Sequence, residues 1–194
     1  MKPKIIVSLL VFCAFAQVAA LVNRSRTAGP TAPGVVPYLL GDTVVRLDGF
    51  KVDGSAETLA LSTPTGAATV VYAFSSECAH CETVAPDWAS HFGQQTREGI
   101  RRVAITRDRP DLAASYAERF GWNVPILSMP DMTATDRRSF LLSRTPWLYV
   151  FDHDGTLQFQ GHGSALDQMG EIAASLAHPT TDAQEAPASE TGGS

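Results

Sequence analysis

The sequence predicts an α/β sandwich, and three observations carry that expectation. Residues 68–74 (Ala-Thr-Val-Val-Tyr-Ala-Phe) and 102–106 (Arg-Val-Ala-Ile-Thr) are β-branched and aromatic runs, the composition of strands buried on both faces. Stretches with apolar residues at helical spacing separate and follow these runs. A strand–turn–strand pattern around Asp154-Gly155, then a last helical stretch, closes the chain's ordered part. Strands that alternate with helices bury their apolar faces by layering the helices on a sheet.

The elements follow in order. Residues 44–47 and 58–61 flank turn residues around Asp53-Gly54, which predicts a leading β-hairpin. After the 68–74 strand, residues 79–97 read as a helix interrupted by Pro86, since proline lacks the N–H of a helical turn. The 102–106 strand leads to a helix over 111–120, with Leu112, Tyr116 and Phe120 at helical spacing and Gly121 as its stop. A short helix is expected over 135–142, strands over 147–151 and 156–160, and a last helix over 165–176. Tyr116, Phe120 and Trp122 read as core or interface aromatics.

Flanking segments differ in composition. Residues 5–22 carry no charged side chain and lie between Met1-Lys2-Pro3-Lys4 and Asn23-Arg24-Ser25-Arg26. A spanning helix needs about 20 apolar residues, so by length residues 1–22 read as an uncleaved signal anchor. Ala16-Gln17-Val18-Ala19-Ala20 offers a cleavage site, and cleavage there would leave a soluble periplasmic or secreted protein. Either way, the rest of the chain is expected in the extracytoplasmic space. Residues 23–34 read as a linker, 35–177 as the folded domain, and the Ala-, Thr-, Glu-, Pro- and Ser-rich 178–194 as a disordered tail. The chain has no internal repeat. Its net charge is −5 with no basic run beyond the N-terminus, which argues against nucleic acid as a partner.

Three cysteines are too few for a disulfide scaffold. Cys13 lies in the apolar leader, which leaves Cys78-Ala79-His80-Cys81 as the one close pair. This pair follows a strand and opens a helix, whose N-terminal N–H groups and partial positive charge favour a thiolate. Only the thiolate attacks a disulfide. Cys78 is then the nucleophile and Cys81, one turn inside the helix, the resolving thiol. Zinc usually takes four ligands, and the sequence has neither a second CxxC nor an HxxxH. Haem attachment needs His after the second cysteine, where Glu82 stands. A structural disulfide over so short a loop constrains little.

Residues 75–86, Ser-Ser-Glu-Cys-Ala-His-Cys-Glu-Thr-Val-Ala-Pro, resemble the active-site segment of the thioredoxin superfamily. Residues 144–155, Arg-Thr-Pro-Trp-Leu-Tyr-Val-Phe-Asp-His-Asp-Gly, are similar to its cis-proline segment, strand and turn. With the N-terminal anchor and leading hairpin, the chain most resembles the TlpA-like branch of membrane-anchored thiol–disulfide oxidoreductases. The resemblance covers residues 35–177. It implies a thioredoxin-like three-layer sandwich, with a central mixed sheet and an N-terminal β-hairpin extension. It also implies a cis bond before Pro146, beside the cysteines, with the Thr145 backbone free to pair with a substrate peptide. Cys78 and Cys81 would form a redox-active disulfide, and neither a metal nor a cofactor is called for.

Departures from the family pattern are informative. Glu77 stands where thioredoxins carry Trp. The two positions where relatives place an acid to take the Cys81 proton hold Tyr72 and Val84, and Glu82, next in sequence, is expected on the helix surface. His80 precedes the second cysteine, where an imidazole stabilises the Cys78 thiolate and makes the couple more oxidising, whereas a Glu77 carboxylate opposes that anion. His80 thus argues for an oxidase and the TlpA-like architecture for a reductase. His91, His153 and His162 lack ligand spacing. The leading expectation is a membrane-tethered enzyme acting on protein thiols and disulfides, with a membrane electron-transfer protein as a further partner. Two alternatives stand beside it: a copper carrier using Cys78, Cys81 and a distant His such as His162, and a redox-inactive binding module. A peroxidase is disfavoured by Ser75, which replaces the Thr expected three residues before a peroxidatic cysteine.

Overall fold

The computed structural model describes residues 36–63, 66–94 and 98–177. The expected leader, linker and tail, and residues 95–97 of the first expected helix, lie outside the described residues. Strands β1 (Arg46–Phe50) and β2 (Ala56–Ala60) form the leading hairpin, followed by β3 (Ala68–Phe74) and helix α1 (Ala79–Gly93). Strand β4 (Ile100–Thr106), helix α2 (Pro110–Phe120) and strand β5 (Ile126–Ser128) come next. A 3-10 helix (Arg137–Leu142), strands β6 (Trp147–Phe151) and β7 (Leu157–His162), and helix α3 (Leu166–Leu176) complete the order.

The strands make one mixed sheet in the order β2-β1-β5-β4-β3-β6-β7. The β3–β4 and β4–β5 pairs are parallel and the others antiparallel. Every residue of β3 is buried, as its unbroken apolar run predicts. Its side chains alternate between two cores, as the strand period of two requires. Val70, Tyr72 and Phe74 pack with buried residues of α1, α2 and α3. Val71 and Ala73 pack with Leu141 and Leu142 of the 3-10 helix and with Tyr38 and Val44 before the hairpin. The result is the expected three-layer thioredoxin-like sandwich.

Several boundaries differ from the sequence expectation. The hairpin pairs over 46–50 and 56–60, because the ladder runs on through Asp48-Gly49-Phe50 to a turn in which Gly54 takes φ +83. Helix α1 continues through Pro86. The expected 135–142 helix is a 3-10 turn over 137–142, capped by the Asp136 carboxylate, which accepts from the Arg138 N–H. Strand β5 has no counterpart in the expected elements. Gly121 does end α2, at φ +67 with its N–H on the Ala117 and Glu118 carbonyls. Among the described residues no helix is long and apolar enough to cross a membrane.

Candidate active site

Strand β3 delivers the chain to Ser75, and four residues later α1 begins. Asp108, two residues past β4, fastens this turn: its Oδ2 accepts the Ser76 N–H at 2.6 Å and its Oδ1 lies 3.4 Å from the Ser75 Oγ. Asp108 is itself held by its N–H on the Thr106 Oγ1 at 3.1 Å and by the Ser128 hydroxyl, which donates to its carbonyl. Charge-assisted bonds of this kind are among the stronger ones in proteins.

Cys78 caps α1 with an extended backbone, φ −92 and ψ 111. Its carbonyl accepts the Cys81 and Glu82 N–H groups at 2.9 and 3.2 Å. The two thiols occupy different surroundings. Cys78 is half-buried, while Cys81 is 1% exposed. Burial pushes the Cys81 thiol up to about 12, with the neighbouring Cys78 adding to the rise. Burial also acts to raise Cys78. There it is outweighed by hydrogen bonds from the Cys81 thiol, Thr145 and the backbone N–H groups of Cys81 and His80, so this thiol lies below its ordinary value. Cys81 thus keeps its proton and shares it with a Cys78 thiolate. As a thiol, Cys78 donates instead to the Thr145 carbonyl, 3.4 Å away.

The Thr145–Pro146 peptide bond is cis, as the resemblance implies, and Pro146 is buried. Gly163, just past β7, seats it. The Gly163 N–H donates to the Pro146 carbonyl at 3.1 Å, and the Gly163 carbonyl accepts the Trp88 Nε1–H at 2.7 Å. A Cβ on Gly163 would lie 2.7 Å from the Pro146 Cβ and 2.9 Å from the Trp88 Cζ2, so only glycine fits between them. The chain therefore brings together Cys78, Cys81, Thr145 and Pro146 from segments some 65 residues apart. His80 and Glu77 stand exposed at the rim. The largest influences on Cys78 include the His80 backbone N–H but neither the His80 ring nor the Glu77 carboxylate. The Glu77 N–H donates to the Ser75 Oγ at 3.3 Å.

The positions that lack an acid are also resolved. Tyr72 packs edge-on against Trp88 and Phe92, with centroids at 5.2 and 4.8 Å, farther along α1 than Cys81. Val84 is a core residue. Glu82 is exposed and pairs with Arg119 of α2 at 2.6 Å. Sequence reasoning missed Asp108 and Gly163 as site residues. Asp108 reads as an ordinary helix-start acid before Arg109-Pro110, and Gly163 as a turn glycine. Neither carries a local signal of its contacts with residues far along the chain.

Cys78, Cys81 and His162 do not fall together in one group of potential ligands among the described residues. Among the described residues, the cluster of three potential ligands is Asp152, His153 and Asp154 on an exposed turn. The His162 Nδ1 lies 2.9 Å from the Ser164 Oγ.

A mixed sheet, a dithiol at a helix start and a cis-proline beside it together define a thioredoxin-fold protein. The chain belongs to the AhpC/TSA family, whose model matches residues 41–160 and so spans both cysteines and Pro146. No curated protein matches the sequence. Among solved structures, the fold is similar to a peroxiredoxin-like protein from Aquifex aeolicus, with 15% identity, a TM-score of 0.57, and 73% of this chain and 90% of that one covered. It is also similar to a secreted Mycobacterium tuberculosis disulfide oxidoreductase, at 16% identity and TM-score 0.52 over 68% and 96% of the two chains. A thiol:disulfide interchange protein from Chlorobium tepidum aligns at 19% identity and TM-score 0.53 over 70% and 98%. At these identities the likeness is one of fold.

Proposed function

We propose that this protein is a thiol–disulfide oxidoreductase of the TlpA-like type, exchanging disulfides with other proteins through Cys78 and Cys81. The observation that carries the reading is the split between the thiols, one half-exposed and acidified, the other buried and pushed up to about 12. In the reducing direction, the Cys78 thiolate attacks one sulfur of a substrate disulfide. A Cys78–substrate disulfide forms, and the other substrate sulfur leaves as a thiolate. Cys81 then attacks the Cys78 sulfur, the Cys78–Cys81 bond forms, and the substrate's second sulfur leaves and takes up the proton Cys81 gives up. Two electrons pass from the dithiol to the substrate, and oxidation is the same sequence reversed. Thr145 offers its backbone to the substrate peptide, and the exposed His80 and Glu77 side chains border the thiolate at the rim. The uncharged 5–22 stretch supports a membrane tether, with residues 23–34 as linker and the domain outside the cytoplasm. A Cys81→Ser variant should accumulate mixed disulfides with partner proteins, and Cys78→Ser should not. Equal trapping by both variants would overturn the roles.

The family membership favours a second reading, a thiol peroxidase, and the Aquifex neighbour is named peroxiredoxin-like. Here the Cys78 thiolate would attack a peroxide oxygen, giving a sulfenic acid and releasing the other oxygen as water or alcohol. Cys81 would condense with the sulfenic acid, forming the disulfide and a second molecule of water. The two readings separate by rate: under the first, a protein disulfide oxidises the dithiol faster than hydrogen peroxide does.

A further inference from the structure

The sheet order sets two arginines on either side of the dithiol. Strand β3 lies between β4 and β6, with Phe74 opposite Thr106 and Ala73 opposite Trp147. Arg107, one residue past β4, and Arg144, three before β6, therefore leave the same sheet edge as the 75–78 turn, on its two flanks. Both residues are exposed. Among the described residues neither pairs with a carboxylate, whereas Arg109 pairs with Asp111 and Arg119 with Glu82. Arg144 is bonded to Thr145, whose carbonyl lies 3.4 Å from the Cys78 Sγ. The Arg144 guanidinium rests against the rings of Trp147 and Phe140, 5.1 and 5.8 Å from their centres, so part of its side-chain freedom is already lost. The carboxylates of the turn are Glu77, exposed, and Asp108, whose oxygens face the Ser76 N–H and the Ser75 hydroxyl.

We propose that Arg107 and Arg144 select acidic protein substrates, each pairing with a carboxylate that flanks the substrate's reactive disulfide. This inference rests on the disulfide-exchange reading and names the partners of that site. A substrate that bonds its backbone to Thr145 lays the residues beside its cysteine along the flanks of the 75–78 turn. There a planar guanidinium offers a carboxylate two parallel N–H donors. The chain as a whole carries a net charge of −5, which repels an acidic partner at a distance. Two unpaired cations beside Cys78 make the dithiol the place where such a partner is held. Surface ion pairs are individually weak and screened by salt, which suits a partner that must leave once exchange is complete.

The test uses the full chain in its reduced form and two short peptide disulfides. Each is a disulfide-linked dimer of a peptide with a central cysteine, flanked on both sides by aspartate in one and by asparagine in the other. Oxidation of the protein is followed by acid quenching and mass spectrometry, for the native chain and for a double variant, Arg107→Gln with Arg144→Gln. The ratio of the aspartate rate to the asparagine rate, compared between the two proteins, cancels the intrinsic reactivity of the peptides. That ratio should be about three- to tenfold lower in the double variant, as loss of two exposed ion pairs predicts. The difference should shrink in about 0.5 M salt, which screens the native pairs. An equal ratio in the two proteins overturns the inference, as does a difference that salt leaves undiminished. A native chain that neither peptide disulfide oxidises overturns the disulfide-exchange reading itself, and the inference with it.

Discussion

Alkylation with iodoacetamide across pH puts numbers on the difference between the two thiols. The Cys81 thiol is pushed up to about 12, mainly by burial, roughly three units above an ordinary cysteine. At pH values below the ordinary cysteine range it carries about a thousandfold less thiolate than an unperturbed thiol. At pH 8 about one Cys81 in ten thousand is ionised, and the side chain is only 1% exposed. Cys78 lies below its ordinary value because the Cys81 thiol, Thr145 and two backbone N–H groups outweigh its burial. The first label on the reduced protein should therefore fall on Cys78 alone, at a rate that levels off below the pH at which a free cysteine does. Peptide mass mapping after short exposure reads the site directly. In a Cys78→Ser variant Cys81 should stay slow, because burial, the larger cause, remains when the neighbouring thiolate is gone. First labels divided comparably between the two cysteines would refute the reasoning.

Three further outcomes follow from named contacts. Gly163→Ala places a Cβ against Pro146 and Trp88, and overpacking of this kind should cost about 1–3 kcal/mol in urea unfolding; an unchanged urea midpoint contradicts the seat described for Pro146. Asp108→Ala frees the Ser76 N–H and the Ser75 hydroxyl and should destabilise by about 1–3 kcal/mol, with slower Cys78 labelling as the turn loosens; unaltered stability and labelling would dismiss Asp108 as the fastener. His91 is lowered to about 4, by burial first and the Arg102 charge second. The unfolded chain, near 6.5, therefore binds the proton first as pH falls. The resulting stability is complete above about pH 6.5 and lost as pH drops through 4, on the order of 1–2 kcal/mol after allowance for solvent screening. His91→Phe should flatten that part of the stability–pH curve, and a curve of the same shape would exclude the histidine as its source.

The site was legible where its chemistry is local in sequence. Cys78-Ala79-His80-Cys81 announces both its residues and its helix start, and Thr145-Pro146 could be paired with it through the family resemblance. Strand β3 was legible because an unbroken apolar run has one natural home, the middle of a sheet. Strand β5 was not, because three residues, Ile126 to Ser128, are too few to show a period. Asp108 and Gly163 were hidden for a different reason: each acts through a partner far along the chain. The hairpin was found but its ends were not, since Asp48 and Gly49 continue a ladder that composition alone suggests should stop.

The central claim is that Cys78 and Cys81 form a reversible two-electron couple suited to exchange with other proteins. Equilibration of the protein with defined ratios of reduced and oxidised glutathione, quenched with acid and read by mass spectrometry, tests it most directly. The account predicts a single two-electron transition between dithiol and Cys78–Cys81 disulfide. Its potential should lie between about −270 and −120 mV, the range spanned by reducing and oxidising members of the fold, with the value setting the direction of exchange. A disulfide that fails to form, or one that resists reduction below about −300 mV as structural bridges do, would contradict it.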